Sequence, residues 1–183
     1  MVSDFRKKKI LHVFNTLFDS NKSGSIDNND LEGIASKIAK VRGYQPGDAK
    51  FKEILESLQT IWNLLQQRGD ADNDGQVSAK EWIDICDEYA KNPNAPQQWQ
   101  NACMKFIFDI EDSSKDGSID AGEFSTIYAS FGLNKQEAVQ AFNKLSKGKS
   151  SVTWSEFQEL WKEYFTSEDP NAAGNFIFGK ISF

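Results

Sequence analysis

"DADNDGQVSAKE", residues 70–81, sets three aspartates at alternate positions ahead of a glycine and closes on a glutamate. Carboxylates this close repel one another, so a folded segment of this kind needs a compensating cation or has to stay open and solvated. A hard divalent ion such as calcium takes six to eight oxygens, and a twelve-residue loop supplies them from positions 1, 3, 5, 7, 9 and 12, with glycine at position 6 for the sharp turn. The segment fits throughout. Asp70, Asp72 and Asp74 fill the first three ligand positions, Gly75 the turn, the Gln76 carbonyl position 7, Ser78 the water-mediated position 9 and Glu81 the bidentate close. Val77, at position 8, is placed to pair with a partner loop.

The same pattern recurs. Residues 112–123 offer Asp112, Ser114, Asp116, Gly117, the Ser118 carbonyl, Ile119, Asp120 and Glu123. Residues 19–30 offer Asp19, Asn21, Ser23, Gly24, the Ser25 carbonyl, Ile26 and Asp27, but close on Asp30. Aspartate is one methylene shorter than glutamate and reaches the ion less easily with both oxygens. Lower coordination and better tolerance of magnesium are therefore expected at this first loop. In a fourth segment, counting back from Glu156 puts Leu145 at position 1, Lys147 at 3 and Lys149 at 5. Ammonium groups replace the ligands there, so this loop is expected to serve as a structural partner through Val152 and to hold no calcium.

Helical periodicity flanks every loop. Phe5, Ile10, Val13, Phe14, Leu17 and Phe18 predict a helix over 4–18, and Leu31, Ile34 and Ile38 the next. Phe51 to Leu65 and Trp82 to Tyr89 bracket the second loop, Trp99 to Ile110 and Phe124 to Phe131 the third, Ala138 to Leu145 and Phe157 to Phe165 the fourth. The expected fold is all-α, with four helix–loop–helix units in two paired lobes. "KNPNAPQQ", residues 91–98, breaks the pattern with two prolines and predicts a division into 1–92 and 93–170, followed by a hydrophobic tail, 171–183.

The loops resemble EF-hands. Three competent loops and a degenerate fourth, the opening "DFRKKKILHVFNTLFD", the aspartate closing the first loop and the tail "AAGNFIFGKISF" are similar to the invertebrate sarcoplasmic calcium-binding proteins and their neuronal relatives, the calexcitins. The resemblance covers nearly the whole chain. It implies a compact, cytosolic helical protein whose C-terminal segment packs into the body, a role that Phe176, Ile177, Phe178, Ile181 and Phe183 match by type and place. It also implies buffering of calcium and magnesium or, for a calexcitin-like protein, neuronal calcium signalling through a surface exposed on calcium binding.

Composition narrows the choice. Acids outnumber bases by 27 to 21, for a formal charge of −6, which disfavours nucleic acid or anionic lipid as main partners; three divalent ions would neutralise it. No apolar run approaches the length needed to span a bilayer. "MVSDFRKKK" lacks a signal-type apolar stretch and Val2 is not the glycine of a myristoylation signal, so a cytoplasmic monomer is expected. Cys86 and Cys103 fall in apolar helical patterns and read as reduced core residues. Only two methionines, Met1 and Met104, favour a buffer over a promiscuous target-binding groove. The fragment "SKGKSS", residues 146–151, has Asn143 where a phosphate loop needs glycine, and His12 is the sole histidine. One histidine also argues against a coelenterazine-binding photoprotein. No nucleophile–base pairing is evident, and no enzymatic activity is expected.

Overall fold

The computed structural model describes residues 1–95 and 97–183. Of the expected linker 91–98, Pro96 lies outside the described residues. Among the described residues there are eight α-helices: α1 Asp4–Val13, α2 Asp30–Arg42, α3 Ala49–Gly69, α4 Ala79–Lys91, α5 Gln98–Glu111, α6 Ala121–Ser130, α7 Lys135–Leu145 and α8 Trp154–Thr166. Within each successive pair of helices the loop holds one very short strand: β1 Ser25–Ile26, β2 Val77–Ser78, β3 Ser118–Asp120 and β4 Ser151–Thr153. Both strand pairs are antiparallel, with Ile26 opposite Val77 and Ile119 opposite Val152. The position-8 residues therefore join loop 1 to loop 2 and loop 3 to loop 4, and all four are buried.

The first helix departs from the expected continuous 4–18. It is α-helical to Val13 and then passes through a π turn, Phe14–Phe18. Phe14, Leu17 and Phe18 are all buried in the core, and their i, i+3, i+4 spacing keeps them on one face of the helix. The face of α1 is also less apolar than its sequence neighbours suggest, because Arg6 and Lys9 are buried on it.

Strand pairing follows the two halves, but the core runs through both. Helix α3 packs on α5, α2 on α6, and α4 and α1 on α8. At the centre, Trp82 lies against Phe18 and Trp99, with ring centroids 5.2 and 5.6 Å away. Its indole N–H donates to the Ile10 carbonyl at 2.9 Å, and the Trp161 N–H donates to Gln100 Oε1 at 2.8 Å. Each such aromatic contributes about 1.5–3 kcal/mol through burial alone, and these hydrogen bonds remove the cost of enclosing the polar edge. Cys86 and Cys103 are both free and buried.

The tail closes the molecule. A short 3₁₀ turn, Ala173–Phe176, leads into Ile177 and Phe178, and this segment packs on α7 and α8. The Phe178 ring lies 4.7 Å from Tyr164 and 5.4 Å from Trp161. Helix α1 holds the tail from the other side: Lys9 Nζ donates to Asn175 Oδ1 and the Ser167 carbonyl, both at 2.8 Å, and His12 Nε2 meets the Phe178 carbonyl at 2.9 Å. Desolvation lowers the Lys9 pKa to about 8, and burial likewise lowers that of His12.

Candidate metal centres

Each loop begins where a helix runs out of backbone partners and ends at the N-terminus of the next, so its side chains face exposed N–H groups. In loop 2, Asp70 accepts from the Asp74 and Gly75 N–H groups, each at 3.0 Å, and Asp72 accepts from Asp74 N–H at 3.2 Å. Glu81 reaches back to Ala71 N–H and accepts from Ser78 N–H, both at 2.9 Å, tying the two ends of the loop together. The Ser78 hydroxyl and Glu81 also form a reciprocal cap on α4. Carboxylate oxygens of Asp70, Asp72 and Asp74 lie within 4.8 Å of one another, the one such three-acid group among the described residues.

Charge crowding is visible in this loop. The hydrogen bond from Asp74 N–H holds the Asp72 pKa down, but desolvation and the charges of Asp74, Glu81 and Asp70 outweigh it and raise the value. Glu81 behaves oppositely. Desolvation raises its pKa, yet the N–H and hydroxyl donors of Ser78 and the N–H of Ala71 bring it below the ordinary value. The donor set is all hard oxygen, which suits calcium or magnesium better than a soft-ligand metal.

Loop 3 repeats the arrangement. Asp112 accepts from Asp116 N–H at 3.2 Å and Gly117 N–H at 3.0 Å, and Glu123 joins Ser114 N–H (2.8 Å) to Asp120 N–H (3.1 Å). Asp116 is held by Ser118, its N–H at 2.9 Å and its hydroxyl at 2.8 Å. Loop 1 uses Asp19, which accepts from Ser23 and Gly24 N–H groups at 2.9 Å each, and Asp30, which takes Asn21 N–H at 3.1 Å and Asp27 N–H at 2.9 Å. The Ser25 hydroxyl donates to Gln76 Oε1 at 2.6 Å, linking loop 1 to loop 2. Position 6 requires the left-handed region in all three loops: φ is +87° at Gly24 and +86° at Gly75 and Gly117.

Loop 4 differs in backbone as well as charge. Its left-handed residues are Lys147 and Gly148, at positions 3 and 4, and Ser150 stands where the other loops have glycine. Lys149 pairs with Glu156, so an ammonium neutralises the residue that closes the loop. Sequence reasoning missed Arg6, Lys9 and Glu111. Arg6 donates to Asp87 at 3.0 Å. Glu111, one residue before loop 3, is fully buried in an apolar crevice with neither carboxylate oxygen hydrogen-bonded. Burial pushes its pKa well up, against a smaller opposing effect of the nearby Tyr128 hydroxyl, which forms no bond of ordinary geometry with it.

Four helix–loop–helix units, paired at position 8 and closed by acids at position 12, make this an EF-hand fold. Over nearly its whole length the chain is similar in sequence and fold to sarcoplasmic calcium-binding proteins and to calexcitin. It is 28% identical to Calexcitin-1 of Caenorhabditis elegans, with 100% of this chain and 90% of that protein aligned. It is 29% identical to sarcoplasmic calcium-binding proteins II, V, VI and VII of Branchiostoma lanceolatum over 98% of each. The solved structure of an amphioxus sarcoplasmic calcium-binding protein superposes with a TM-score of 0.78 at 28% identity, covering 98% of this chain and 99% of that one. No protein-family model matches the chain.

Proposed function

We propose that the protein binds calcium at loops 1, 2 and 3 and acts as an intracellular calcium and magnesium buffer. The convergence of Asp70, Asp72 and Asp74 carries the binding reading: three acids held at one point by backbone donors are a site that lacks only positive charge. Asp19, Asn21, Ser23, the Ser25 carbonyl and Asp30 would hold the ion in loop 1. Asp70, Asp72, Asp74, the Gln76 carbonyl and Glu81 would do so in loop 2, and Asp112, Ser114, Asp116, the Ser118 carbonyl and Glu123 in loop 3. Magnesium competes best at loop 1, where Asp30 supplies the shorter arm. Loop 4 stays metal-free and props up loop 3. The names of the relatives, as calcium-binding proteins, support the same class.

Buffering is favoured over target capture because the tail already fills the apolar surface between α7 and α8. The alternative is a calexcitin-like sensor that releases the tail on calcium binding and uncovers a protein-binding face. Among the described residues no helix is long and apolar enough to cross a membrane; a cytoplasmic monomer without enzymatic activity is a separate part of the same proposal. A calcium titration followed by hydrophobic-dye fluorescence, at millimolar magnesium, separates the roles. A buffer gives no gain for the full chain and a gain for a chain cut after Pro170; a calcium-dependent gain in the full chain overturns buffering in favour of a sensor.

A further inference from the structure

Loop 1 is built differently from loops 2 and 3 at both ends. The helix before it enters through the π turn, so Asp19 N–H reaches back five residues to the Phe14 carbonyl at 2.9 Å. Asp70 and Asp112 reach back four, to Gln66 (3.1 Å) and Phe108 (2.8 Å). The exit helix α2 starts at Asp30 itself, at position 12, whereas α4 and α6 start two residues earlier in their loops. Despite its shorter side chain, Asp30 makes the same two end-to-end bonds as Glu123, to the N–H groups of positions 3 and 9. The backbone has moved to meet it.

Position 2 shows how far. In loop 3 the Ser113 hydroxyl donates to the Glu123 carboxylate at 3.0 Å. In loop 1 the corresponding Ser20 hydroxyl donates at 2.8 Å to the Asp30 backbone carbonyl, with only a longer 3.3 Å bond to the Asp30 carboxylate. Ser20 therefore lies directly on the first turn of α2, over Gly33. A Cβ at residue 33 would sit 2.6 Å from Ser20 Oγ and 3.2 Å from its Cβ. The matching positions in the other loops, Asp84, Thr126 and Glu159, all carry side chains.

We propose that Gly33, by letting Ser20 seat on α2, sets the contracted size of loop 1 and so its preference for the smaller divalent ion. The proposal rests on the reading of loop 1 as an ion site and adds the residue that determines its selectivity. Magnesium–oxygen distances are only about 0.2–0.6 Å shorter than calcium–oxygen distances. Non-bonded contacts settle at about 3.5–4.0 Å, so a methyl at residue 33 displaces Ser20 by roughly an ångström. That exceeds the difference in ion size. It falls harder on magnesium, which demands near-ideal octahedral geometry, than on calcium, which tolerates irregular coordination.

The test is Gly33→Ala, alone and combined with Asp30→Glu, with the amide resonances of Gly24, Gly75 and Gly117 followed during separate magnesium and calcium titrations. Each of these N–H groups donates to the position-1 carboxylate of its own loop and so reports that loop alone. In the single variant, magnesium affinity at Gly24 is expected to fall about tenfold and calcium affinity less than about threefold, with Gly75 and Gly117 unchanged. In the Asp30→Glu background the loop no longer needs to contract, and Gly33→Ala is expected to change affinity at Gly24 less than about twofold. An unchanged calcium-to-magnesium ratio at Gly24 in Gly33→Ala, or an equal effect in the Asp30→Glu background, overturns the proposal. A wild-type Gly24 resonance that answers neither ion overturns the ion-site reading itself, and the proposal with it.

Discussion

Replacing Phe178 with alanine tests whether the tail belongs to the folded body. The ring is 1% exposed, and its centroid lies 4.7, 5.4 and 6.4 Å from those of Tyr164, Trp161 and Phe165. Deleting a phenyl ring from a packed core costs about 3–5 kcal/mol, part of it for the cavity left behind. Phe178 sits near a chain end that can settle into the space, so the lower figure applies, about 3 kcal/mol. Against a total stability of about 5–15 kcal/mol this is a large fraction. With a urea dependence of about 2 kcal/mol per molar, the midpoint falls by about 1.5 M. Urea unfolding followed by tryptophan fluorescence and far-UV circular dichroism measures it. A loss below about 1 kcal/mol with an unchanged slope would refute the reasoning, because it would place the ring outside the cooperative core.

Three further outcomes follow from single contacts. Arg6→Met removes the half of the Asp87 environment contributed by the 3.0 Å guanidinium bond but leaves Lys91 at 2.8 Å, so a loss of about 1–3 kcal/mol is expected by thermal or urea unfolding. Lys91 and then Arg6 hold the Asp87 pKa below the ordinary carboxylate value. That stability is present above the unfolded pKa and lost as pH falls through the folded one, so the variant should begin its acid unfolding at higher pH; an unchanged acid limb argues against the pair. Glu111→Leu exchanges a buried, unpartnered acid for an apolar side chain and should raise the melting temperature at neutral pH; a fall of several degrees would mean that the carboxyl has a partner in solution. Lys149→Asp should not create a fourth site, since Ser150 occupies the place of the turn glycine; calcium stoichiometry by equilibrium dialysis checks this.

The loops and their pairing were legible because each ligand position follows from the reach of a side chain in a twelve-residue turn, and position 8 must point away from the ion. Helices flanking them were legible from apolar spacing, and the packing of the tail from the family resemblance that its aromatics match. What escaped was everything that depends on a distant partner. In "RKKK", residues 6–9, four adjacent cations look alike, yet Lys9 is enclosed because Asn175 and the Ser167 carbonyl wait for it, while Lys7 and Lys8 stay exposed. Glu111 reads as an ordinary polar residue at a helix end and is buried only because Phe124, Phe142 and Phe157 converge on it. The π turn leaves the apolar spacing of residues 14–18 intact and so has no separate sequence signature. Gly33 passes for a weak helix residue until Ser20 is seen above it.

The central claim is that three loops, and not the fourth, hold calcium. Equilibrium dialysis of the full chain against saturating labelled calcium measures it directly, with Glu81→Gln as the internal control. The account predicts three ions per wild-type chain and two in the variant at the same concentration. One ion, four ions, or no change on losing Glu81 would contradict it.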